Sequence, residues 1–146
     1  MNKKYKLLKD DFIIIDNKKL FRIKALRDFR DVIKGDIGGY IENESNLSHK
    51  GNAWVCRNAK VYGEAHTYGN AKVIGDARVF GNAKVGGDAW IYGNARVFGN
   101  AWVYGDAWVF GASWISGNAK VYGEARVFGN AEVDGNVKIG ESAVIC

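Results

Sequence analysis

The sequence predicts an all-β solenoid, a parallel β-helix with a small N-terminal β-hairpin cap, and three observations carry that expectation. From Asn52 to Glu141 one six-residue phrase repeats fifteen times with no insertion: Asn/Asp-Ala-X-Val-aromatic-Gly, as in Asn94-Ala95-Arg96-Val97-Phe98-Gly99. The second position is Ala in thirteen hexads, the fourth is Val or Ile in fourteen, and the sixth is Gly in thirteen. Proline is absent from the chain, as expected where nearly every N–H enters a ladder.

Each part of the phrase has a physical role. Positions two and four alternate with three and five, the period-2 pattern of a strand with one buried face. Gly followed by Asn, Asp or Glu then bends the chain, because Gly accepts positive φ and the acidic or amide side chain bonds its local backbone. A short strand and a bend at fixed length describe a solenoid, and six-residue repeats are a β-helix signature. Three hexads close a triangular coil, giving about five to six coils, with residues eighteen apart stacked at about 4.8 Å. Ala53, Ala59 and Ala65 then fill the corners, and Val55, Val61 and Thr67 point to the axis. Thr67 is the one polar residue at position four, and a buried hydroxyl is expected to bond a neighbouring carbonyl.

The N-terminal part is organised differently. Residues 1–35 hold no hexad and form the predicted cap; 36–146 form the predicted β-helix. Tyr5–Leu8, Phe12–Ile15 and Leu20–Leu26 read as strands, with Asp16-Asn17-Lys18-Lys19 as a hairpin turn. Residues 35–51 read as degenerate first turns, because Ile41, Leu47 and Ala53 are six apart. A cap is needed because an open end exposes unpaired backbone and apolar core. At the other end Ala143-Val144-Ile145-Cys146 still follows the repeat, so that end is expected to fray or to meet another chain.

The net charge of +5 is concentrated in the cap. Residues 1–34 carry eleven Lys and Arg against five Asp; 35–51 carry one Lys against three acids; the repeats are nearly balanced. The basic cap is either a solvated surface or an attractor of acidic partners. Cys56 and Cys146 both occupy position five, about 24 Å apart by strand spacing, too far for a disulfide. Free thiols fit a reducing cytoplasm. No signal-peptide core and no membrane span are expected.

The outer faces hold the candidate functional residues. All five Trp residues sit at position three, and position five is Tyr or Phe in nine hexads. Sorting by eighteens gives a first face of Trp54, Lys72, Trp90, Trp108 and Arg126, flanked by Tyr92, Phe110 and Phe128. Trp54, Trp90, Tyr92, Trp108, Phe110 and Phe128 form the predicted protein interface, with self-association as its simplest form. The second face reads Lys60, Arg78, Arg96, Trp114 and Glu132, beside Tyr62, Phe80 and Phe98. Lys60, Arg78, Arg96 and Trp114 are a candidate nucleotide, nucleic-acid or acidic-partner site, since cations and aromatics together suit phosphates and bases. An ordinary solvated strand face and stabilising aromatic ladders explain the same residues. The third face reads His66, Lys84, Trp102, Lys120 and Lys138. Asp88, Asp106 and Glu124 stack at one corner. No cofactor or metal site is predicted, and no Ser/His/Asp or Cys/His set emerges from the spacing.

These repeats resemble the left-handed β-helix hexapeptide-repeat proteins, over residues 52–146 strongly and 36–51 weakly. The resemblance implies a left-handed triangular prism. The chain departs from the better-known enzymes by placing an aromatic between the aliphatic residue and Gly. A narrower resemblance, carried by Lys34-Gly35-Asp36-Ile37-Gly38-Gly39-Tyr40-Ile41-Glu42 and Asn46-Leu47-Ser48, is to small bacterial and phage proteins commonly labelled transferases on fold alone. It implies a phage-type protein with a host partner, including interference with bacterial defence. Acyltransferases of this fold use a His general base and a projecting loop. The hexads here have no insertion, His66 is the one His among them, and His49 lies in the connecting segment. Two His cannot supply, within one chain, the three zinc ligands of the carbonic anhydrases built on this fold. The expected role is therefore non-catalytic.

Overall fold

The computed structural model describes residues 3–146 and is all-β apart from one 3-10 turn at Glu44–Asn46. The chain starts as a hairpin of β1 (Tyr5–Ile15) and β2 (Lys18–Ala25). The two predicted strands Tyr5–Leu8 and Phe12–Ile15 are one strand interrupted by a bulge, since Leu8 pairs with Arg22 and Phe12 with Phe21. The turn is Asp16-Asn17 alone, with φ of 51° and 64°, and Lys18 and Lys19 belong to β2. A two-residue turn with both φ positive matches the twist of the flanking strands, and Asp and Asn tolerate it. β3 (Ile37–Ile41) pairs antiparallel with β2 and parallel with the strand Lys60–Val61, so it splices the cap onto the solenoid.

Beyond β3, two-residue strands at positions three and four stack into three parallel sheets, about six turns in all. One sheet runs from Trp54–Val55 to Val144–Ile145. The second continues the cap from Lys60–Val61 to Glu132–Val133. The third runs from His66–Thr67 to Lys138–Ile139. The eighteen-residue pairing is explicit: Trp90 stands beside Lys72 and Trp108, and Arg96 beside Arg78 and Trp114. Each coil donates to the next, as Arg96 N–H does to Ser113 O at 2.9 Å and Phe98 N–H to Ile115 O at 2.9 Å.

The first turn has a different register. Ile41 pairs with Val61 and Leu47 with Thr67, twenty residues apart. Ser48 N–H and Asn52 N–H still donate to Thr67 O and Gly69 O, so the two extra residues lie between Ser48 and Asn52. Ile41 and Leu47 are therefore position-four residues, while Ala53 is a position-two residue; the six-residue spacing linking them was coincidental.

From Ala53 to Val127 the axis holds stacked Val, Ile and Ala, interrupted by Thr67 and Ser113; all are without exposure except a barely accessible Ala65. Ser113 bonds Phe110 O at 2.8 Å. Thr67 does not follow expectation: its hydroxyl is buried and has no partner. At the corners, position six needs Gly for two reasons. Gly105 has φ of 68°, and a Cβ there would lie 2.8 Å from Gly123 N in the next coil. Positive φ is costly for residues with a side chain, and the coil spacing leaves no room for one.

The cap closes the first coil with side chains. The ammonium of buried Lys4 donates to Ala53 O at 2.6 Å and reaches Gly51 O at 3.4 Å. Tyr5 donates its hydroxyl to Leu47 O at 2.6 Å, and Asn46 Nδ2 donates to Ala65 O at 2.8 Å. Arg22 reaches Gly38 O, Arg57 O and Asn58 Oδ1. These are donors supplied to the coil end, where main-chain donors run out. Part of the positive charge in residues 1–34 thus has a structural role, as backbone capping. Gly38 permits the close crossing of β3, because a Cβ there would sit 2.5 Å from Val55 O and 2.8 Å from the Trp54 ring.

Candidate interaction surfaces

The first face is a ladder of alternating character. Trp90 and Trp108 stack with centroids 5.7 Å apart and planes 17° from parallel. Lys72 sits 5.5 Å above Trp90, and Arg126 4.3 Å from the Trp108 ring. Beside them Tyr92, Phe110 and Phe128 stack at 4.7 and 5.0 Å, and partial burial raises the Tyr92 pKa. Five of the six predicted interface residues are thus brought together.

Trp54 is not among them. It lies on the same sheet but is 3% exposed, edge-on to Phe29 at 5.3 Å and Tyr5 at 6.4 Å under the cap. Position three faces outward there as elsewhere, but outward at the first coil means into the cap. Tyr62 is likewise 3% exposed; its pKa is raised by burial, with Asp16 of the hairpin tip near enough to contribute.

The second face brings Lys60, Arg78, Arg96 and Trp114 into one column as predicted. Its rings are occupied by one another. Tyr62, Phe80 and Phe98 stack at 5.1 and 5.0 Å, Phe98 meets Trp114 edge-on at 5.8 Å, and Arg96 lies over Trp114 at 5.6 Å. A nucleobase needs a free ring face to stack on, and the stacked Tyr62, Phe80 and Phe98 offer little; Trp114, 43% exposed, is the open ring of this column. The cations remain available to anions. The Lys60 pKa is lowered by burial and then by the neighbouring Arg78 and Arg22, with Asp76 opposing.

On the third face Trp102 lies between Lys84 at 5.4 Å and Lys120 at 5.6 Å. The most exposed indoles, Trp90, Trp102 and Trp114 at 37, 38 and 43%, fall on three different faces because they belong to hexads in different sheets. Position five lacks an aromatic at Gly86 and Gly140 because Tyr68 and Tyr122 lie across them; a Cβ would come within 2.1 and 2.3 Å of those rings.

The polar residues of the cap are tied into structure. His49 stacks on Tyr5 at 4.1 Å, accepts the Lys4 N–H at Nδ1, and meets Glu44 at Nε2 at 2.7 Å. The bond from His49 holds the Glu44 carboxyl below its ordinary pKa. His66 Nδ1 lies 2.7 Å from Ser45 O. Burial pushes the Lys4 ammonium down to about 8, with Arg27 adding to the effect, and pushes the Tyr5 phenol well up. The sequence reading missed Lys4, Tyr5 and Asn46. The available signal was the eight-residue step from Leu47 to Val55, which marks a break in the hexads where donors must come from elsewhere.

A cleft of about 360 Å³ opens between the cap loop and the first face, lined by Asp31, Asp36, Ile37, Trp54, Cys56 and Lys72 among others. Lys72 and Asp31 pair across it at 2.9 Å, which lowers the Asp31 pKa. Burial raises the Cys56 thiol, outweighing Lys72. Cys56 and Cys146 are free thiols. Among the described residues no group of three His, Cys, Asp or Glu is placed to hold a metal, and no helix is long and apolar enough to cross a membrane.

The fold and its repeat define a β-solenoid protein built on hexapeptide-like repeats. Residues 89–105 match the repeat family described as YdcK Beta solenoid repeat. Over 50 residues the chain is 44% identical to a protein of Escherichia coli (strain K12) described as "Uncharacterized acetyltransferase YdcK"; the match covers 34% of this chain and 15% of that protein.

Proposed function

We propose that this protein is a non-catalytic binding scaffold that self-associates and presents its outer rows to a partner. The observation that supports this reading is the placement of its large side chains. Trp90, Trp108, Tyr92 and Phe110 stand together on one strand face, the two indoles stacked on each other, Tyr92 stacked on Phe110 and edge-on to both indoles. Flat rigid faces with Trp, Tyr and Arg suit protein contacts. Light scattering on the wild type and on Trp90→Ala/Trp108→Ala tests the reading. The wild type should assemble and the variant should lose part of that assembly; a monomeric wild type at all concentrations overturns self-association. A host partner, with a role against bacterial defence in a phage setting, is the extension that the sequence resemblance suggests, and capture of one specific host protein by the wild type tests it.

A second reading, an acetyltransferase, draws on the printed description of the Escherichia coli relative. Against it, His49 is held at both ring nitrogens, by the Lys4 N–H and by Glu44; His66 is held at Nδ1 by Ser45 O, and the hexads carry no projecting loop beside it. Acetyl-CoA should then leave the melting temperature unchanged; a saturable rise would favour the enzyme.

A further inference from the structure

Two charged rows of opposite sign run along the solenoid at the same pitch. Lys60, Arg78 and Arg96 form a column in the second sheet, each one coil from the next. Asp88, Asp106 and Glu124 occupy corresponding turn positions in three successive coils and are exposed. Each of these acidic residues lies in the turn that leads into a first-sheet strand, at Trp90, Trp108 and Arg126. That corner joins the third and first sheets, so in a three-sided prism it lies opposite the second.

Neither row is neutralised within the chain. Among the described residues none of the six forms an ion pair. Asp88 accepts from Asn70 Nδ2 at 3.1 Å, and Arg126 bonds the main-chain oxygens of Asp106 and Glu124, not their carboxylates. On the basic side Asp76 is the one acid felt by Lys60. Like charges stacked one coil apart are unfavourable, so each row carries a repulsion, offset in part by Asp76 on the basic side and Arg126 on the acidic one, that an opposite row of equal spacing would relieve.

We infer that a second copy of this chain supplies that row, its acidic corner lying along the basic second face with the two prisms side by side. The inference rests on the self-association proposed above, and names a contact distinct from the Trp90–Trp108 face. Equal pitch lets all three pairs form together once one is in register. Because the two rows lie on opposite sides, the contact is heterologous and can propagate without closing. It is electrostatic, and salt weakens it: the screening length falls from about 10 Å at 0.1 M to about 3 Å at 1 M.

The test uses the full chain and two charge-reversed variants, Lys60→Glu/Arg78→Glu/Arg96→Glu and Asp88→Lys/Asp106→Lys/Glu124→Lys. Circular dichroism confirms that each is folded; if a triple variant is not, Arg78→Gln/Arg96→Gln and Asp88→Asn/Asp106→Asn replace it. By light scattering the wild type should grow in mass with concentration at low salt and lose part of that mass at 1 M, where only the row contact is screened. Each triple variant alone should lose the salt-sensitive part of that growth, keeping at most the association made through the first face, and a mixture should regain it, because each then offers the row the other lacks. With the neutral variants the expected result is at least a tenfold weaker association. Association unchanged in the variants overturns the row pairing while leaving self-association standing, and loss in Trp90→Ala/Trp108→Ala alone would place it on the first face. A wild type monomeric at low salt overturns both proposals.

Discussion

Replacing Thr67 by Val should stabilise the protein. The Thr67 side chain points to the axis with no exposure, between Leu47 above and Val85 below, and its Oγ1 has no partner. Burying an unsatisfied hydroxyl costs about 1–3 kcal/mol. Val has nearly the same volume and β-branching, so it removes that cost without opening a cavity, and its extra methyl adds up to about 0.8 kcal/mol of apolar burial. A net gain of about 2 kcal/mol is expected, a rise in melting temperature of roughly 6 °C for a chain of this size. Urea denaturation should show a higher midpoint at unchanged slope. Thr67→Ser is the control: it keeps the hydroxyl, loses the methyl, and should cost about 1 kcal/mol. A Val variant equal to or less stable than wild type would refute the reasoning, because the hydroxyl must then be bonded.

Further expectations concern the cap and the corners. Burial lowers the Lys4 pKa from 10.5 to about 8, so the unfolded chain binds the proton more tightly between these values. That contribution destabilises the fold fully below pH 8 and is relieved as pH rises to 10.5. The stability difference between wild type and Lys4→Met should therefore shift in favour of wild type as pH rises from 7.5 to 10.5; a pH-independent difference contradicts a buried ammonium. Gly105 and Gly135 share φ near 70°, but a Cβ meets Gly123 N at 2.8 Å in the first case and nothing within 4 Å in the second. Gly135→Ala should cost about 1–2 kcal/mol for the backbone alone, and Gly105→Ala clearly more; equal losses by thermal denaturation would show that the coils are free to spread.

Much of the scaffold was legible because a solenoid is a local code. Each hexad carries its own strand, bend and core residue, and contacts repeat at a constant offset, so Trp90 above Trp108 and Arg78 above Arg96 followed from counting by eighteen. The cap was not legible in this way. Its strands pair antiparallel over variable separations, the bulge after Leu8 leaves no periodic trace, and the two extra residues before Asn52 show only as a break in the hexads.

The same division explains the sites. By itself the sequence determined which residues face outward in each repeat, because alternation on a strand is fixed by the backbone. Only the tertiary structure decided what outward means. At Trp54 the cap folds over the prism and buries it, while at Phe98 the coil spacing stacks Phe80 on one side and sets Trp114 against the ring, filling the faces a ligand would need. It also decided that Lys4, met in the sequence as one more basic residue, would be drawn inside to serve main-chain carbonyls left without donors where the ladder begins.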